Sequence, residues 1–140
     1  MIAYLDASVL VALLTEDALN ARAEAFVTSI QPVPLLSDFA AAEFVSVISR
    51  RLRAKLLTQT EARDALSAFD VWTAGEVSWV ECTPADIARA TAFMRRLDLP
   101  LRTPDAIHIA IAQRVGATLA TFDAQMIANA RVLGVSVATA

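Results

Sequence analysis

The chain has 140 residues and a mass of 15.0 kDa, the size of one compact domain. Hydrophobic residues make up 56% of it, but charged residues interrupt the apolar runs, so no segment reaches the roughly 18 apolar residues of a membrane-spanning helix. The net charge of -3 argues against a general polybasic nucleic-acid binder, and the single cysteine, Cys82, excludes an intrachain disulfide. We expect one soluble domain over residues 1–140 and, because the N-terminus does not resemble a signal peptide, a cytoplasmic location.

The first half of the chain predicts two strands and four helices. Short apolar runs of this length are typical of strands that are buried on both faces of a parallel sheet. Because proline cannot donate a hydrogen bond to a neighbouring strand, Pro34 favours an edge or irregular position for the second strand. Thr58 and Glu61 have the spacing of a capping box. The predicted elements are strands at Ile2–Leu5 and Val33–Leu36, and helices at Val9–Leu14, about Asp17–Ile30, Ser37 or Asp38 to about Lys55, and Thr58 to about Ala74.

The second half predicts three strands that alternate with helices. Thr83 and Thr103 are each followed by proline, a pattern that predicts a capping threonine and a proline at the first helical position. Gly116 and Gly134 fall where a helix would end. The predicted strands are Val77–Val80, Ala117–Phe122 and Val135–Val137, and the helices run from Thr83 to about Leu97, from Thr103 to about Arg114, and onward from Asp123. This alternation indicates an α/β fold with a mostly parallel sheet and helices on both faces.

Three aspartates stand where an open α/β sheet binds its ligands, outside the carboxyl ends of the strands. Asp6 and Asp123 each come directly after a predicted strand, and Asp105 lies in the first turn of a predicted helix. A carboxylate straight after a buried strand is costly unless a charged or hydrogen-bonding group meets it. Asp105 and Asp123 also suit a simpler interpretation as ordinary acids at helix N-termini, where the helix dipole favours them.

Glu43 is the fourth acidic candidate. On a helical projection Glu43 lies at the border of an apolar arc, whereas a solvent-exposed charge more often lies opposite such an arc. A surface role beside Arg50 is the alternative. Four converging carboxylates would repel one another unless a cation were present. Hard oxygen ligands without His or Cys suit Mg²⁺ or Mn²⁺ and not zinc, and magnesium sites commonly include a substrate phosphate. The apolar arc consists of Phe44, Val47, Ile48 and Leu52.

These residues resemble the motifs of a known family. Asp6 in YLDAS, Glu43 in SDFAAAEF, Asp105 in LRTPDAIHIA and Asp123 in ATFD resemble the four acidic motifs of PIN-domain nucleases, and the short chain resembles the VapC toxins of toxin-antitoxin pairs. The resemblance implies a three-layer α/β/α fold with a central mostly parallel sheet. It also implies a Mg²⁺- or Mn²⁺-dependent endoribonuclease that a VapB-like antitoxin inhibits and that is usually a homodimer.

The resemblance also implies roles for individual residues. Asp6 and Asp105 would be the main metal ligands, and Glu43 and Asp123 would complete the pocket directly or through water. Thr121 would orient water or phosphate, and Ser8 matches a position that is often small and polar. Hydrolysis of an RNA phosphodiester would use one or two metal ions. Either Asp123 or Glu43 could accept the proton of the attacking water.

Several residues keep two interpretations. Basic side chains suit contacts with RNA phosphates or an acidic antitoxin, but the basic run could equally be a solvated helix end. His108 could be a general acid, although its place beside an apolar face favours a packed or supporting histidine. Two other functions are possible: a PIN-fold protein that binds its partner with little cleavage, and a receiver-like cation-binding module. The basic candidates are Arg50, Arg51, Arg53 and Arg102.

Overall fold

The structure, a computed structural model, describes residues 1–139. Within this range five strands form one sheet, in which every pairing is parallel and the order is β3-β2-β1-β4-β5. The mostly parallel sheet expected from the sequence is therefore confirmed. The strands are β1 at Ala3–Leu5, β2 at Leu35–Ser37, β3 at Ser78–Val80, β4 at Thr118–Thr121 and β5 at Val137–Thr139.

Helices cover both faces of the sheet, because successive strand residues point to opposite sides. Ala3 and Leu5 pack into a core with α1, α3 and α4, whereas Tyr4 packs into a second core with α5, α6 and α7. The three-layer α/β/α architecture is thus confirmed. The helices are α1 at Ala7–Leu14, α2 at Asn20–Ser29, α3 at Asp38–Arg53, α4 at Gln59–Thr73, α5 at Pro84–Arg95, α6 at Thr103–Val115 and α7 at Ala124–Val132. None of the helices within residues 1–139 is long and apolar enough to cross a membrane.

The expectation of an edge position for the second strand is wrong. Strand β2 pairs with β1 on one side and with β3 on the other, so it lies inside the sheet. Pro34 is compatible with this position because the strand begins one residue later, at Leu35. The missing N–H of Pro34 therefore falls outside the strand, while its carbonyl oxygen accepts a hydrogen bond from Ser78 N at 2.9 Å.

Of the three predicted threonine caps, two are confirmed and one is wrong. Thr58 and Thr83 both cap their helices within reciprocal capping boxes, with Glu61 and Asp86 as the partners. Helix α6, however, begins at Thr103 itself, and its N-cap is Arg102 without a side-chain hydrogen bond. The Thr103 hydroxyl instead contacts the Met94 sulfur at 3.8 Å.

Two helices end at a glycine, as predicted. After the second of these glycines the last strand begins two residues later than the sequence predicted. Gly116 and Gly134 have φ values of 65° and 78°, in the left-handed region that favours glycine. After Gly134, the N–H of Val135 bonds back to Ala130 O at 2.9 Å. Val135 is thereby held in the helix end, so β5 begins at Val137 and not at Val135 as the sequence predicted.

Candidate active site

The four acids lie on four different segments of chain, three of them at helix N-termini and the fourth one turn further into its helix. Asp6 follows β1 and caps α1, and Asp123 follows β4 and caps α7. Because β1 and β4 are parallel neighbours, these two acids lie at the same edge of the sheet. Asp105 is the third residue of α6, and Glu43 lies in the second turn of α3.

Asp6 is buried but well supplied with hydrogen-bond donors. Its side chain is almost completely buried, with 2% of the residue exposed. Oδ1 accepts from Ser8 Oγ at 2.6 Å and from Val9 N at 3.2 Å, and Oδ2 accepts from Thr121 Oγ1 at 2.5 Å. Burial raises the pKa of Asp6, and these hydrogen bonds only partly offset it. Since each carboxylate oxygen offers about two acceptor sites, Oδ2 can bind one further partner.

Two hydroxyl groups join the β1–α1 turn to the β4–α7 turn. The Ser8 oxygen accepts from Phe122 N at 3.0 Å, and the Thr121 oxygen accepts from Asp123 N at 3.0 Å. Both hydroxyl protons point to Asp6. The sequence suggested that Thr121 orients water or phosphate, but in the structure its buried hydroxyl donates to Asp6 and therefore positions that carboxylate.

Asp105 is largely buried as a residue, but its carboxylate oxygens remain open to solvent and have few partners. It is 5% exposed, and its closest cation is Arg102, whose Nε lies 3.7 Å from Oδ2. No hydrogen bond to its carboxylate is formed by any residue from 1 to 139. Burial and then the negative charge of Asp123 raise the pKa of Asp105, and Asp6 adds to this effect. The three aspartates are therefore close enough to repel one another.

Glu43 is connected to α6 through His108. Nε2 of His108 forms a short hydrogen bond to Oε1 of Glu43, and its Nδ1 lies 2.7 Å from the hydroxyl of Tyr4. His108 is 1% exposed, in line with a packed histidine. The Tyr4 hydroxyl also lies 2.7 Å from Ser37 Oγ. Burial, together with the charges of Asp6 and Glu43, holds the pKa of Tyr4 far above its usual range, so the phenol stays protonated.

Sequence reasoning missed Tyr4 and Ser37 as residues near the site. Tyr4 lies within a short apolar run, and Ser37 was interpreted only as a possible helix cap. A usable signal existed, because a tyrosine in a strand that is buried on both faces must find a partner for its hydroxyl. The identity of that partner could not be read from the sequence.

The basic candidates separate into two groups. Arg102 lies beside Asp105, and its side chain is largely exposed. The other three lie in the last turn of α3, about 10–15 Å along the helix axis from Glu43. In that position their charges stabilise the carbonyl end of the helix, and Arg53 also donates to Ser49 Oγ at 2.6 Å. The distant group consists of Arg50, Arg51 and Arg53.

The acids have the donor chemistry that a hard cation needs, although they are not assembled around one point. Within residues 1–139 no three His, Cys, Asp or Glu side chains are arranged to hold a metal ion together. Magnesium usually needs only one or two carboxylates, with water and substrate phosphate as the other ligands. Asp105, which accepts no hydrogen bond, and Oδ2 of Asp6, which has a spare acceptor site, meet that requirement. The oxygen donors therefore fit Mg²⁺ or Mn²⁺.

Comparison with known proteins identifies the fold. Residues 3–132 match the family model of the PIN domain. A search of curated proteins gives no match. The structure is similar to VapC20 of Mycobacterium tuberculosis, described as a sarcin-ricin loop cleaving toxin, with a TM-score of 0.72, 22% identity, and coverage of 90% of this chain and 93% of that one.

Two complexes show the same fold. VapBC2 from Rickettsia felis, bound to a fragment of its promoter DNA, has a TM-score of 0.71 at 15% identity and covers 99% of this chain and 98% of that chain. A toxin-antitoxin complex from Klebsiella pneumoniae has a TM-score of 0.60 at 21% identity, with 90% of each chain covered. At these identities the likeness establishes a shared fold.

Proposed function

The chain belongs to the PIN domain family, and from this premise we propose that it is a Mg²⁺- or Mn²⁺-dependent endoribonuclease, the toxin of a type II toxin-antitoxin pair. Residues 1–140 contain one PIN domain in this proposal, and it acts in the cytoplasm. The observation that carries the proposal is the group of three mutually repelling aspartates, of which Asp105 is largely buried as a residue, accepts no hydrogen bond from residues 1–139 and keeps its carboxylate oxygens open to solvent. Carboxylates crowded together in this way favour a cation as their shared partner.

In the proposed mechanism Asp6 and Asp105 are the main metal ligands, and Glu43 and Asp123 complete the pocket. When bound there, a divalent ion would place positive charge beside a phosphate oxygen and would lower the pKa of the attacking water. Ser8 and Thr121 hold the Asp6 carboxylate in place. Asp123 or Glu43 accepts the proton of the water, so no side chain needs to attack the phosphate itself.

The proposed partners are RNA, a VapB-like antitoxin and a second copy of the chain. Arg102 stands beside the acids and can meet an RNA phosphate or an acidic side chain of the antitoxin. The related complexes from Klebsiella pneumoniae and Rickettsia felis support an antitoxin partner. A small DNA-binding protein encoded next to this gene would identify that antitoxin, and a homodimer would have twice the 15.0 kDa mass of the chain.

One alternative also has an observation in its favour. A PIN-fold protein that mainly binds its partner would need no assembled metal site, and no three acids within residues 1–139 are arranged as one. Membership of the PIN family, by contrast, removes the reason for a receiver-like module. Cleavage of RNA by the purified protein separates the two remaining functions.

The test is a cleavage assay with a mixed pool of labelled, in vitro transcribed RNAs. We expect cutting with Mg²⁺ or Mn²⁺, none with EDTA, and a fall to the no-enzyme background in Asp105→Asn. Asp70→Asn, which changes an exposed aspartate of α4, is the matched control and should cut like wild type. Equal cleavage by Asp105→Asn and wild type would contradict the proposal, because it would place the activity elsewhere or in a contaminant.

A further inference from the structure

A buried chain of hydrogen bonds leads from the start of α3 to Glu43. It runs from Ser37 through Tyr4 and His108 to the Glu43 carboxylate, with distances of 2.7 Å at each of the first two steps. Ser37, Tyr4 and His108 are each at most 1% exposed. The mechanism proposed above uses only the last member of this chain, so the other three need an explanation.

The two ends of this chain of hydrogen bonds determine the direction in which its protons point. At one end the Ser37 oxygen accepts the N–H of Ala40 at 2.9 Å, so the only described acceptor for the Ser37 proton is Tyr4. At the other end the Glu43 carboxylate can only accept. If Ser37 donates to Tyr4, Tyr4 donates to Nδ1 of His108, and Nε2–H donates to Glu43, every proton has one acceptor.

The opposite direction leaves polar groups unmatched. With a hydrogen on Nδ1 of His108, the Tyr4 proton would have to point to Ser37, and the Ser37 proton would lose its acceptor. In the neutral ring with its hydrogen on Nδ1, Nε2 carries none, so a nitrogen lone pair would also face the Glu43 carboxylate. Unmatched polar groups are costly inside a protein, so the tautomer with hydrogen on Nε2 is favoured.

The surrounding rings hold His108 in this orientation. The ring of Phe39 packs against it with 5.1 Å between centroids, and the ring of Tyr4 lies at 5.7 Å. Both ring nitrogens are also engaged. Rotation of the imidazole would therefore break two hydrogen bonds and two ring contacts.

We propose that Tyr4 is a positioning residue: its hydroxyl fixes the Nε2–H tautomer of His108, which in turn holds Oε1 of Glu43 and leaves Oε2 for the reaction. The role in catalysis rests on the proposed nuclease function, but the tautomer does not. Tyr4 touches neither RNA nor metal in this scheme. It acts through His108, as a partner that orients a carboxylate in the site.

The tautomer can be measured directly because His108 is the only histidine in the chain. In tag-free protein labelled with ¹⁵N-histidine, each ring nitrogen gives one signal. We expect Nε2 to carry the hydrogen and Nδ1 to carry none in metal-free wild type. In Tyr4→Phe the donor to Nδ1 is lost and only Glu43 still favours the hydrogen on Nε2, so the Nδ1 signal should shift and the two nitrogen signals should move towards each other.

The same variant tests the role in catalysis. We expect Tyr4→Phe to lower kcat for RNA cleavage by about 10- to 100-fold with little change in KM, because Glu43 loses its fixed orientation and RNA binding is untouched. His108→Gln, which keeps an N–H that can donate to Glu43, should retain more activity than His108→Leu. Thr58→Ala is the matched control: it removes the cap of α4 and should leave kcat and both nitrogen signals unchanged.

The outcomes separate this proposal from the nuclease proposal. Whether or not the protein cuts RNA, a hydrogen on Nδ1 in wild type overturns the tautomer assignment, and unchanged nitrogen signals in Tyr4→Phe overturn the role of Tyr4 in fixing that tautomer. If the signals change but Tyr4→Phe cuts at the wild-type rate, the positioning role is wrong and the nuclease function stands. If wild type does not cut RNA at all, the nuclease function fails and the NMR result still decides the tautomer. If Tyr4→Phe does not fold, the activity of His108→Gln is compared with that of His108→Leu instead. The wild-type spectrum still tests the tautomer.

Discussion

Asp105 is a partly buried carboxylate that accepts no hydrogen bond from residues 1–139. Burial and the charge of Asp123 raise its pKa above the ordinary value, so the fold disfavours its ionised form. An acid whose folded pKa lies above its unfolded pKa lowers stability at neutral pH, and the loss is relieved as the pH falls through the folded pKa. The residue that the proposed function needs most is thus a source of instability in the absence of metal.

We therefore predict that Asp105→Asn stabilises the protein in EDTA while it abolishes cleavage. Removal of one of several like charges should raise Tm at pH 7 by about 2–5 °C. The difference should narrow as the pH falls through the raised pKa, because protonation relieves wild type of the same repulsion. Thermal unfolding measures both effects, and Asp70→Asn should show neither. A Tm for Asp105→Asn below that of wild type in EDTA would contradict the repulsion among these carboxylates.

At the scale of elements, a partly buried ion pair connects α5 to α6. Asp86, 1% exposed, accepts from Arg114 Nε at 2.7 Å and from Nη2 at 3.0 Å, and Arg114 also donates to the carbonyl oxygen of Glu81 at 2.8 Å. Burial raises the pKa of Asp86, but hydrogen bonds from Arg114 and Thr83 outweigh it and the net pKa is lowered. The pair therefore connects the first turn of α5 to the last turn of α6, the helix that carries Asp105 and His108.

Arg114→Met should lower the free energy of unfolding by about 2 kcal/mol, between the values for exposed and for buried ion pairs, because the Arg114 side chain is 38% exposed. Since the pKa of Asp86 is lowered, the contribution is complete above the ordinary carboxyl value of about 4 and is lost as the pH falls below it. Urea unfolding at several pH values tests this prediction. Arg96→Met, which breaks the exposed pair with Asp98, should have no measurable effect. Equal losses in the two variants would show that burial of Asp86 is irrelevant.

At the scale of the whole molecule, the net charge of -3 conceals an uneven distribution. Four of the 15 acids belong to the proposed site, so the rest of the chain has 11 acidic and 12 basic residues. A divalent ion at the site would offset much of its negative charge. The mild acidity therefore does not oppose RNA binding over the rest of the surface, and Arg102 is the basic side chain placed beside the acids.

This distribution predicts which arginine contacts RNA. In the Asp105→Asn background, where RNA stays intact, Arg102→Gln should weaken binding of a labelled single-stranded RNA and reduce the slope of log K against log salt by about 0.7. Arg50→Gln, at the far end of α3, should leave the slope unchanged. Fluorescence anisotropy over a range of salt concentrations measures both. A reduced slope in Arg50→Gln alone would place the RNA on the other end of the helix.

Local patterns in the sequence determined the class of fold and most of its elements. Short apolar runs predicted strands buried on both faces, and Thr58, Thr83, Gly116 and Gly134 marked helix ends correctly, because capping depends on residues within a few positions. The need of Asp6 for nearby donors followed from its place after a buried strand. Assignment of the four acids to one metal pocket stays a prediction.

Only the tertiary structure decided which distant residues meet. It placed β2 inside the sheet despite Pro34, left Thr103 out of the capping role, and separated Arg102 from the basic residues of α3. It also joined Tyr4 to His108, a pair 104 positions apart in the chain. A buried hydroxyl must find a partner, but strand order and helix packing select that partner, and a pattern of neighbouring residues carries no information about either.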